Sequence, residues 1–237
     1  MPQPTAAMIV IGDEILSGRT RDSNMHFAAG KLTEKGIRLT EARVIADDRA
    51  GIIATVRDLS KRCDHVLTSG GIGPTHDDIT AEAVAEAMGA PIGVRDDARA
   101  ILAAFYAGKD QPLTDARLRM ARIPDGADLI DNPISAAPGF SLGNVHVMAG
   151  VPTIFQTMLE GLLPRLAGGA PLLSRSVDLA RGEGDIADGL GQVAARYAAL
   201  SIGSYPWHRD GAHGTQIVLR GEDAKALNAA VKEIECL

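Results

Sequence analysis

The sequence is poor in aromatic residues and has no excess of positive charge. Aromatic side chains make up 3% of the 237 residues, which leaves few surfaces on which nucleic-acid bases could stack. The formal net charge is −6, so the chain has no overall basic field that would attract a polyanion. We therefore expect no nucleic-acid partner.

Cysteines and long apolar runs are also scarce. Cys63 and Cys236 are the two cysteines and have no CxxC spacing, so reduced thiols are expected rather than a disulfide framework. No apolar run approaches the roughly 18 residues of a membrane-spanning helix. The first 14 residues contain no Lys or Arg, which differs from the start of a secretory signal. These features predict a cytoplasmic protein without a membrane partner.

What the sequence does contain is enough apolar side chain for a packed core. Hydrophobic residues make up 46% and charged residues 23%, as in globular proteins. The length allows one domain of ordinary size and a smaller unit. The segment 166–171, LAGGAP, is the best linker candidate because Gly-Gly and Ala-Pro interrupt regular structure. We expect one domain over residues 1–167 and a small domain over residues 171–237.

Alternation of strand and helix patterns indicates an α/β fold. Buried strands are predicted at 6–11, 37–46 and 64–69, and each is followed by a loop and a helix, as in a parallel sheet flanked by helices. Residues 123–140 are expected to be irregular, between a predicted helix at 114–121 and a strand at 145–148. After the linker, a β-α-β-β-α order predicts a small α+β unit of the ferredoxin-like, split βαβ type.

A glycine-rich loop between the third predicted strand and its helix is the most informative segment. Residues 69–80 read SGGIGPTHDDIT. Gly70, Gly71 and Gly73 allow tight turns and close approach of a ligand, and the following helix N-terminus offers N–H groups to a phosphate. A dinucleotide fingerprint beginning at Gly71 would need glycine where His76 stands. The loop therefore predicts a phosphate site of another kind.

Two adjacent carboxylates follow that loop. Asp77 and Asp78 suit the first turn of a helix, but they would repel a phosphate unless a cation lay between them. Helix capping is one interpretation of the pair. Next to a glycine turn that follows a strand, a metal-bridged phosphate is the preferred one.

The loop after the first predicted strand is also acidic. It resembles a P-loop, but five residues separate Gly12 from Gly18 instead of four, and Arg19 stands in place of Lys. Asp13 and Glu14 can accept hydrogen bonds or bind a metal. A solvated acidic turn is an equally good interpretation of this loop alone.

A third acidic pair, Asp47 and Asp48, follows the second predicted strand. Helix N-capping would explain it. All three acidic loops, however, follow strands of one parallel sheet and so belong to the same sheet edge. Open α/β folds bind their ligands at that edge.

These motifs together resemble the N-terminal domain of the CinA (competence/damage-inducible) family, within the MoaB/Mog molybdopterin-binding superfamily. The resemblance covers roughly residues 6–166 and rests on GDEILSG at 12–18, Asn24, the Asp47-Asp48 pair and GGIGPTHDDIT at 70–80. It implies a three-layer α/β/α fold with a site over the glycine-rich loop for a pterin phosphate or a nucleotide diphosphate. It also implies a homodimer.

The resemblance implies competing activities. One is hydrolysis of ADP-ribose or FAD at the pyrophosphate with a divalent metal (Mg, Mn or Co), and another is adenylylation of molybdopterin. A non-catalytic ligand-binding module is the third alternative, because Ser135-Ala136 replace an expected Gly-Thr and Ile154 replaces an expected Glu.

The motifs and the resemblance together assign roles to residues of the three loops and to Asn24. Catalytic roles fall to Asp78, Asp77 and Asp47. The metal ligands would be Asp78, Asp77 and Asp13. Contacts to the nucleotide or pterin ligand are expected from Gly70, Gly71, Gly73, Thr75, Gly12, Glu14 and Asn24.

Overall fold

The computed structural model describes residues 3–209 and 211–237. Two compact units form, the first ending at Gly169 and the second beginning at Ala170. No helix among the described residues is long and apolar enough to cross a membrane.

The first unit is built on a six-stranded sheet with two further short strands. Its strands are β1 (Thr5–Ile11), β2 (Arg38–Ile45), β3 (His65–Ser69), β4 (Ile92–Val94), β5 (Arg122–Pro124), β6 (Asp128–Ile130), β7 (Gly139–Leu142) and β8 (Val145–Met148). The large sheet has the order β2-β1-β3-β8-β7-β6, and β4 pairs with β5 separately. β2, β1, β3 and β8 run parallel, whereas β7 and β6 add to the sheet antiparallel.

Seven α-helices belong to the described part of this unit. They are α1 (Asp13–Leu16), α2 (Asn24–Glu34), α3 (Arg49–Arg62), α4 (Thr80–Met88), α5 (Asp96–Ala107), α6 (Asp115–Leu118) and α7 (Pro152–Leu162). Short 3₁₀ turns follow at Arg119–Ala121 and Leu163–Arg165.

The three-layer arrangement follows from the side-chain alternation of β1. Ala7, Ile9 and Ile11 pack into a core with residues of α3, α4 and α5. The intervening residues of β1, from Ala6 to Val10, pack into a second core with residues of α2 and α7. Because successive side chains of a strand point to opposite faces, helices cover both faces of the sheet. The expected α/β/α fold is confirmed.

Local signals fix several element boundaries where the sequence predicts them. Gly36 and Gly89 both have a φ of 72° and end α2 and α4 in the left-handed conformation. The Asp48 carboxylate accepts a 2.7 Å hydrogen bond from the main-chain N–H of Gly51 and so caps α3. Asp48 therefore has the capping role.

The segment 123–140 is expected from the sequence to be irregular, but in the structure it is not. It contains most of β5, all of β6 and the start of β7. These strands have three or four residues and lie among Pro, Asp and Gly, so they carry no readable alternation. Their pairing partners, rather than their own pattern, make them strands. Similarly, the helix expected at 114–121 divides into α6 and a 3₁₀ turn.

The second unit is a small α+β structure with its own core. It comprises β9 (Leu173–Leu179), α8 (Glu183–Arg196), β10 (Ser201–Arg209), β11 (Ala212–Gly221) and α9 (Ala224–Ile234). β11 lies between β9 and β10 and is antiparallel to both, so β9 and β10 run parallel with a strand between them. This is the expected split βαβ arrangement.

Candidate functional site

A cleft of about 400 Å³ lies at the carboxyl ends of the central parallel strands. Residues from the ends of β1 and β3, from the loop after β2, and from the loops around 135 and 150 form its walls. Eight of the residues expected at a site line this cleft: Gly12, Glu14, Asp47, Gly70, Gly71, Gly73, Asp77 and Asp78. Asp13, Thr75 and Asn24 do not line it. The structure therefore gathers residues from all three acidic loops.

The glycines of the loop are required by close backbone packing. Gly70 has a φ of 110°, and a Cβ there would lie 2.2 Å from the carbonyl oxygen of Ile11. Gly71 has a φ of 69°, and its Cβ would lie 2.1 Å from Oγ1 of Thr80. Only glycine tolerates both the conformation and the contact, so the loop passes close to β1 and leaves bare backbone along the cleft.

Asp78 closes the glycine-rich loop through Thr75. Its Oδ2 atom accepts hydrogen bonds from the main-chain N–H of Thr75 at 2.7 Å and from the Thr75 hydroxyl at 2.5 Å. The same hydroxyl, together with the main-chain N–H of Asp77, lowers the pKa of the Asp77 carboxyl. Thr75 therefore holds the Asp78 carboxylate in place from outside the cleft.

Asn24 lies beneath the cleft and joins three segments. Its side chain is 3% exposed. The amide nitrogen donates hydrogen bonds of 2.7 Å to Oγ of Ser69, at the end of β3, and to the carbonyl oxygen of Gly150. Gly150 lines the cleft, so the structure gives Asn24 a positioning contact.

The electrostatic environment of the cleft is acidic. Burial raises the pKa of Asp47 above the ordinary value of 3.8, and the neighbouring charges of Asp13, Glu14 and Asp77 raise it further. A hydrogen bond from the main-chain N–H of Asp13 opposes these effects. None of the described residues that line the cleft is Lys, Arg or His.

The carboxylates of the cleft suit a metal ion that binds together with its phosphate ligand. Among the described residues, no group of three or more His, Cys, Asp or Glu side chains is arranged to hold a metal ion. The expected set of Asp78, Asp77 and Asp13 does not form such a group, and Asp13 does not line the cleft. Mg²⁺ commonly binds one or two carboxylates together with substrate phosphates and water. Asp77 and Asp78 fit that mode.

Asn132 lines the cleft, although no ligand contact is expected of it from the sequence. The Asn132 side chain is 6% exposed, and its amide nitrogen donates hydrogen bonds to Ser135 Oγ at 2.7 Å and to the carbonyl oxygen of Ala137 at 2.9 Å. It thereby shapes the wall formed by residues 132–139. The local signal is Asn-Pro followed by Ala-Pro-Gly, which indicates only turns unless β6 before it is known.

Two positions that depart from the CinA pattern also belong to the cleft. Ser135 lines it, and so does Ile154, which therefore adds an apolar side chain where a Glu was expected. Ala136 has a φ of 62°, a conformation that glycine adopts without cost.

Comparison with known proteins assigns both units to families. Residues 7–168 match the family described as probable molybdopterin binding domain. Residues 171–236 match the family described as FAD synthase, middle domain. A protein of Archaeoglobus fulgidus is 33% identical over 228 residues, which cover 96% of this chain and 95% of that protein.

Similarity to CinA proteins is seen in both sequence and structure. The crystal structure of the protein CinA with unknown function from Thermoplasma acidophilum is 34% identical, with a TM-score of 0.63, and the match covers 68% of this chain and 98% of that one. A CinA-like protein of Anaeromyxobacter sp. is 35% identical over 161 residues, which cover 66% of this chain but only 39% of that protein. The chain therefore belongs to the molybdopterin-binding domain family, in its CinA-like group.

Proposed function

We propose that the protein is a divalent-metal-dependent nucleotide pyrophosphatase that hydrolyses ADP-ribose or FAD. The observation that carries the proposal is the lining of the cleft, which combines bare glycine backbone with four carboxylates and, among the described residues, no cationic side chain. A diphosphate can approach such a lining only together with a cation. The carboxylates are those of Glu14, Asp47, Asp77 and Asp78.

The carboxylates after the glycine-rich loop would hold the cation. Bound with the diphosphate, Mg²⁺, Mn²⁺ or Co²⁺ supplies charge neutralisation and lowers the pKa of water. Asp78 is fixed through Oδ2 by Thr75, which keeps its carboxylate at the cleft. Gly71 and Gly73 line the cleft, and glycine allows a ligand to approach the main chain closely.

Asp47 is the proposed proton acceptor. In the proposed step, the oxygen of water attacks one phosphorus, the bond from that phosphorus to the bridging oxygen breaks, and the proton of the water passes to Asp47. A carboxylate with a raised pKa is a better base than an ordinary one. The pKa of Asp47 is raised by burial and by neighbouring carboxylates.

The remaining lining suits a nucleotide. Ile72, Met120, Val151 and Ile154 give the cleft an apolar portion against which a planar base can pack. Its volume of about 400 Å³ falls in the range of small-molecule sites. The match of the second unit to a middle domain of FAD synthase further favours a dinucleotide such as FAD.

Adenylylation of molybdopterin is the second candidate. It is favoured by the match of residues 7–168 to a molybdopterin-binding domain. A non-catalytic ligand-binding module is the third, favoured by Ile154 at the cleft in place of an expected Glu.

Product analysis decides among these functions. The purified protein is incubated with ADP-ribose, FAD or ATP and with Mg²⁺, Mn²⁺ or Co²⁺, and AMP is measured by chromatography. We expect AMP from ADP-ribose or FAD only when metal is present. Formation of adenylylated molybdopterin from ATP and molybdopterin, without hydrolysis of the dinucleotides, would establish the second candidate. Ligand binding without any turnover would establish the third.

The variant Asp78→Asn tests the role of the carboxylate. The Asn amide oxygen can still accept the hydrogen bonds of Thr75, so the loop is retained while the charge is lost. We expect AMP formation to fall more than about a hundredfold, as for loss of a group that stabilises transition-state charge. Asp125→Asn is the control, because Asp125 is exposed and does not line the cleft. Full activity of Asp78→Asn would refute the metal-bridging role.

A homodimer remains a prediction from the CinA resemblance, and a cytoplasmic location remains a prediction from the composition of the sequence. Light scattering should report twice the chain mass of 24.8 kDa at micromolar concentration. A constant mass near that of one chain would contradict the dimer.

A further inference from the structure

A second cleft, of about 610 Å³, lies in the first unit, and we call it the arginine cleft. Three arginines from separate parts of the chain line it: Arg49 at the start of α3, Arg119 in the 3₁₀ turn after α6, and Arg122 at the start of β5. Ile79 and Ile92 add apolar side chains to the lining. The arginine cleft therefore combines several guanidinium groups with an apolar surface.

Two of these arginines are held in place by glutamates of α4. Arg49 forms an ion pair of 2.6 Å with Glu86, and Arg122 forms one of 3.0 Å with Glu82. Both glutamates also line the arginine cleft. The pairs fix two guanidinium groups at the rim, which reduces the entropy lost when they contact a ligand.

Arg119 differs from the other two arginines. It forms no ion pair within the part of the chain that the structure describes, although its side chain is only partly exposed. With it, the arginine cleft has three guanidinium groups against two carboxylates. One positive charge is therefore available for an anion, in contrast to the acidic cleft over the glycine-rich loop.

The arginine cleft and the acidic cleft are separated by a narrow gap. The gap has a volume of about 20 Å³ and is lined by Gly73 and Asp78 from the acidic cleft and by Arg119 and Arg122 from the arginine cleft. That volume suffices for about one water molecule and is too small for a phosphate. The two clefts therefore adjoin at this gap, which does not itself hold a phosphate.

We propose that the arginine cleft binds the phosphate group of a small molecule that also carries an apolar ring, and does so without a divalent cation. Arginine suits this task because its planar guanidinium donates two parallel hydrogen bonds to phosphate oxygens. Arg119 supplies the uncompensated charge, and Ile79 and Ile92 pack against the ring. The site goes beyond the proposed pyrophosphatase reaction, which requires metal and takes place in the acidic cleft.

Calorimetric titration with AMP in the presence of EDTA tests the site, since AMP carries a phosphate beside a planar base and EDTA removes divalent cations. We expect saturable binding by the full chain. Arg119→Ala should weaken it by about tenfold or more, as for loss of a charged hydrogen bond, and Arg119→Lys should restore part of it. Thermal melting of each variant shows whether the fold is retained.

Two control variants locate the binding. Arg117→Ala removes an arginine two residues away whose guanidinium donates to the Pro112 carbonyl oxygen and to Gln111 and which does not line the arginine cleft. Asp78→Asn removes a carboxylate that lines the acidic cleft and the gap but not the arginine cleft. Both variants should bind AMP at least as tightly as the unaltered chain does. The proposal would be overturned if the full chain bound no AMP without metal, if a folded Arg119→Ala variant bound AMP equally well, or if Asp78→Asn lost the binding. Each of these outcomes is independent of the AMP-release assay.

Discussion

The main-chain N–H of Asp13 donates a hydrogen bond of 3.0 Å to Oδ2 of Asp47. This contact joins the loop after β1 to the loop after β2 and fixes the Asp47 carboxylate at the edge of the acidic cleft. Asp47 lines the cleft and Asp13 does not, although the sequence presents both as acidic residues after strands.

Asp47→Asn should abolish proton transfer and leave the fold intact. The Asn amide oxygen can still accept the hydrogen bond from Asp13, while the base is lost, so we expect AMP formation to fall by about 10²- to 10⁴-fold. The unaltered protein should lose activity as pH falls through the Asp47 pKa, which is raised above 3.8. That limb of the pH profile should disappear in the variant.

The stability of the same variant gives an independent readout. A carboxyl whose pKa is raised by folding destabilises the folded state once it ionises, so Asp47→Asn should be at least as stable as the unaltered protein at neutral pH. Asp48→Asn is the matched control, because Asp48 caps α3 and does not line the cleft. Its activity should be unchanged. A fully active Asp47→Asn variant would exclude Asp47 as the base.

A buried histidine pair makes stability depend on pH. His146 is 6% exposed and lies 3.4 Å, Nε2 to Nδ1, from His65. Burial lowers its pKa from 6.5 to about 4, and His65 and Arg165 contribute to the same shift. The unfolded chain therefore binds the proton more readily, and the stability of the folded state should fall by about 3 kcal/mol as pH drops from about 6.5 to about 4.

Denaturant unfolding at several pH values measures this effect. His146→Gln should remove most of the pH dependence in that window. His76→Gln is the control, because the His76 side chain is 98% exposed. If the pH dependence of stability persisted in His146→Gln, groups other than His146 would be its cause.

Ala136 occupies a backbone conformation that favours glycine. With its φ of 62°, a non-glycine residue costs roughly 1 kcal/mol, part of which is offset by the greater chain entropy of glycine. Ala136→Gly should therefore stabilise the protein by about 0.5 kcal/mol. Ala104→Gly, on an exposed position of α5, should destabilise it by about 1 kcal/mol. If both substitutions shifted the melting temperature in the same direction, the strain at Ala136 would be contradicted.

The first unit should fold and act by itself. Its two hydrophobic cores contain only residues between Ala6 and Leu166, and the acidic cleft is lined by residues of the same unit. A chain ending at Gly169 should therefore melt cooperatively and retain metal-dependent AMP formation, with KM as the main quantity that changes. Circular dichroism and the AMP assay check this. A folded chain of this length without turnover would place catalytic groups after Gly169.

The sequence by itself determined the central strands, the ends of α2 and α4, and the loops that line the acidic cleft. β1 is a short, mostly apolar segment and β3 contains Val66, Leu67 and Thr68. Left-handed glycines end the helices α2 and α4, so neighbouring residues carry the signal. The three acidic loops follow parallel strands, and the direction of the strands alone places them at one edge of the sheet. For this reason the local sequence is sufficient to predict that the glycine-rich loop, Asp47, Asp77 and Asp78 belong to one site.

Tertiary structure alone decided the residues that complete the cleft and the strands that carry them. β6 and β7 are strands because they extend the sheet beyond β8, and Asn132 lines the cleft because β6 ends just before it. The arginine cleft likewise depends on packing that brings Arg49 of α3 beside Arg119, far away in the sequence. Such juxtapositions depend on long-range pairing and packing energy, which local residue patterns do not encode.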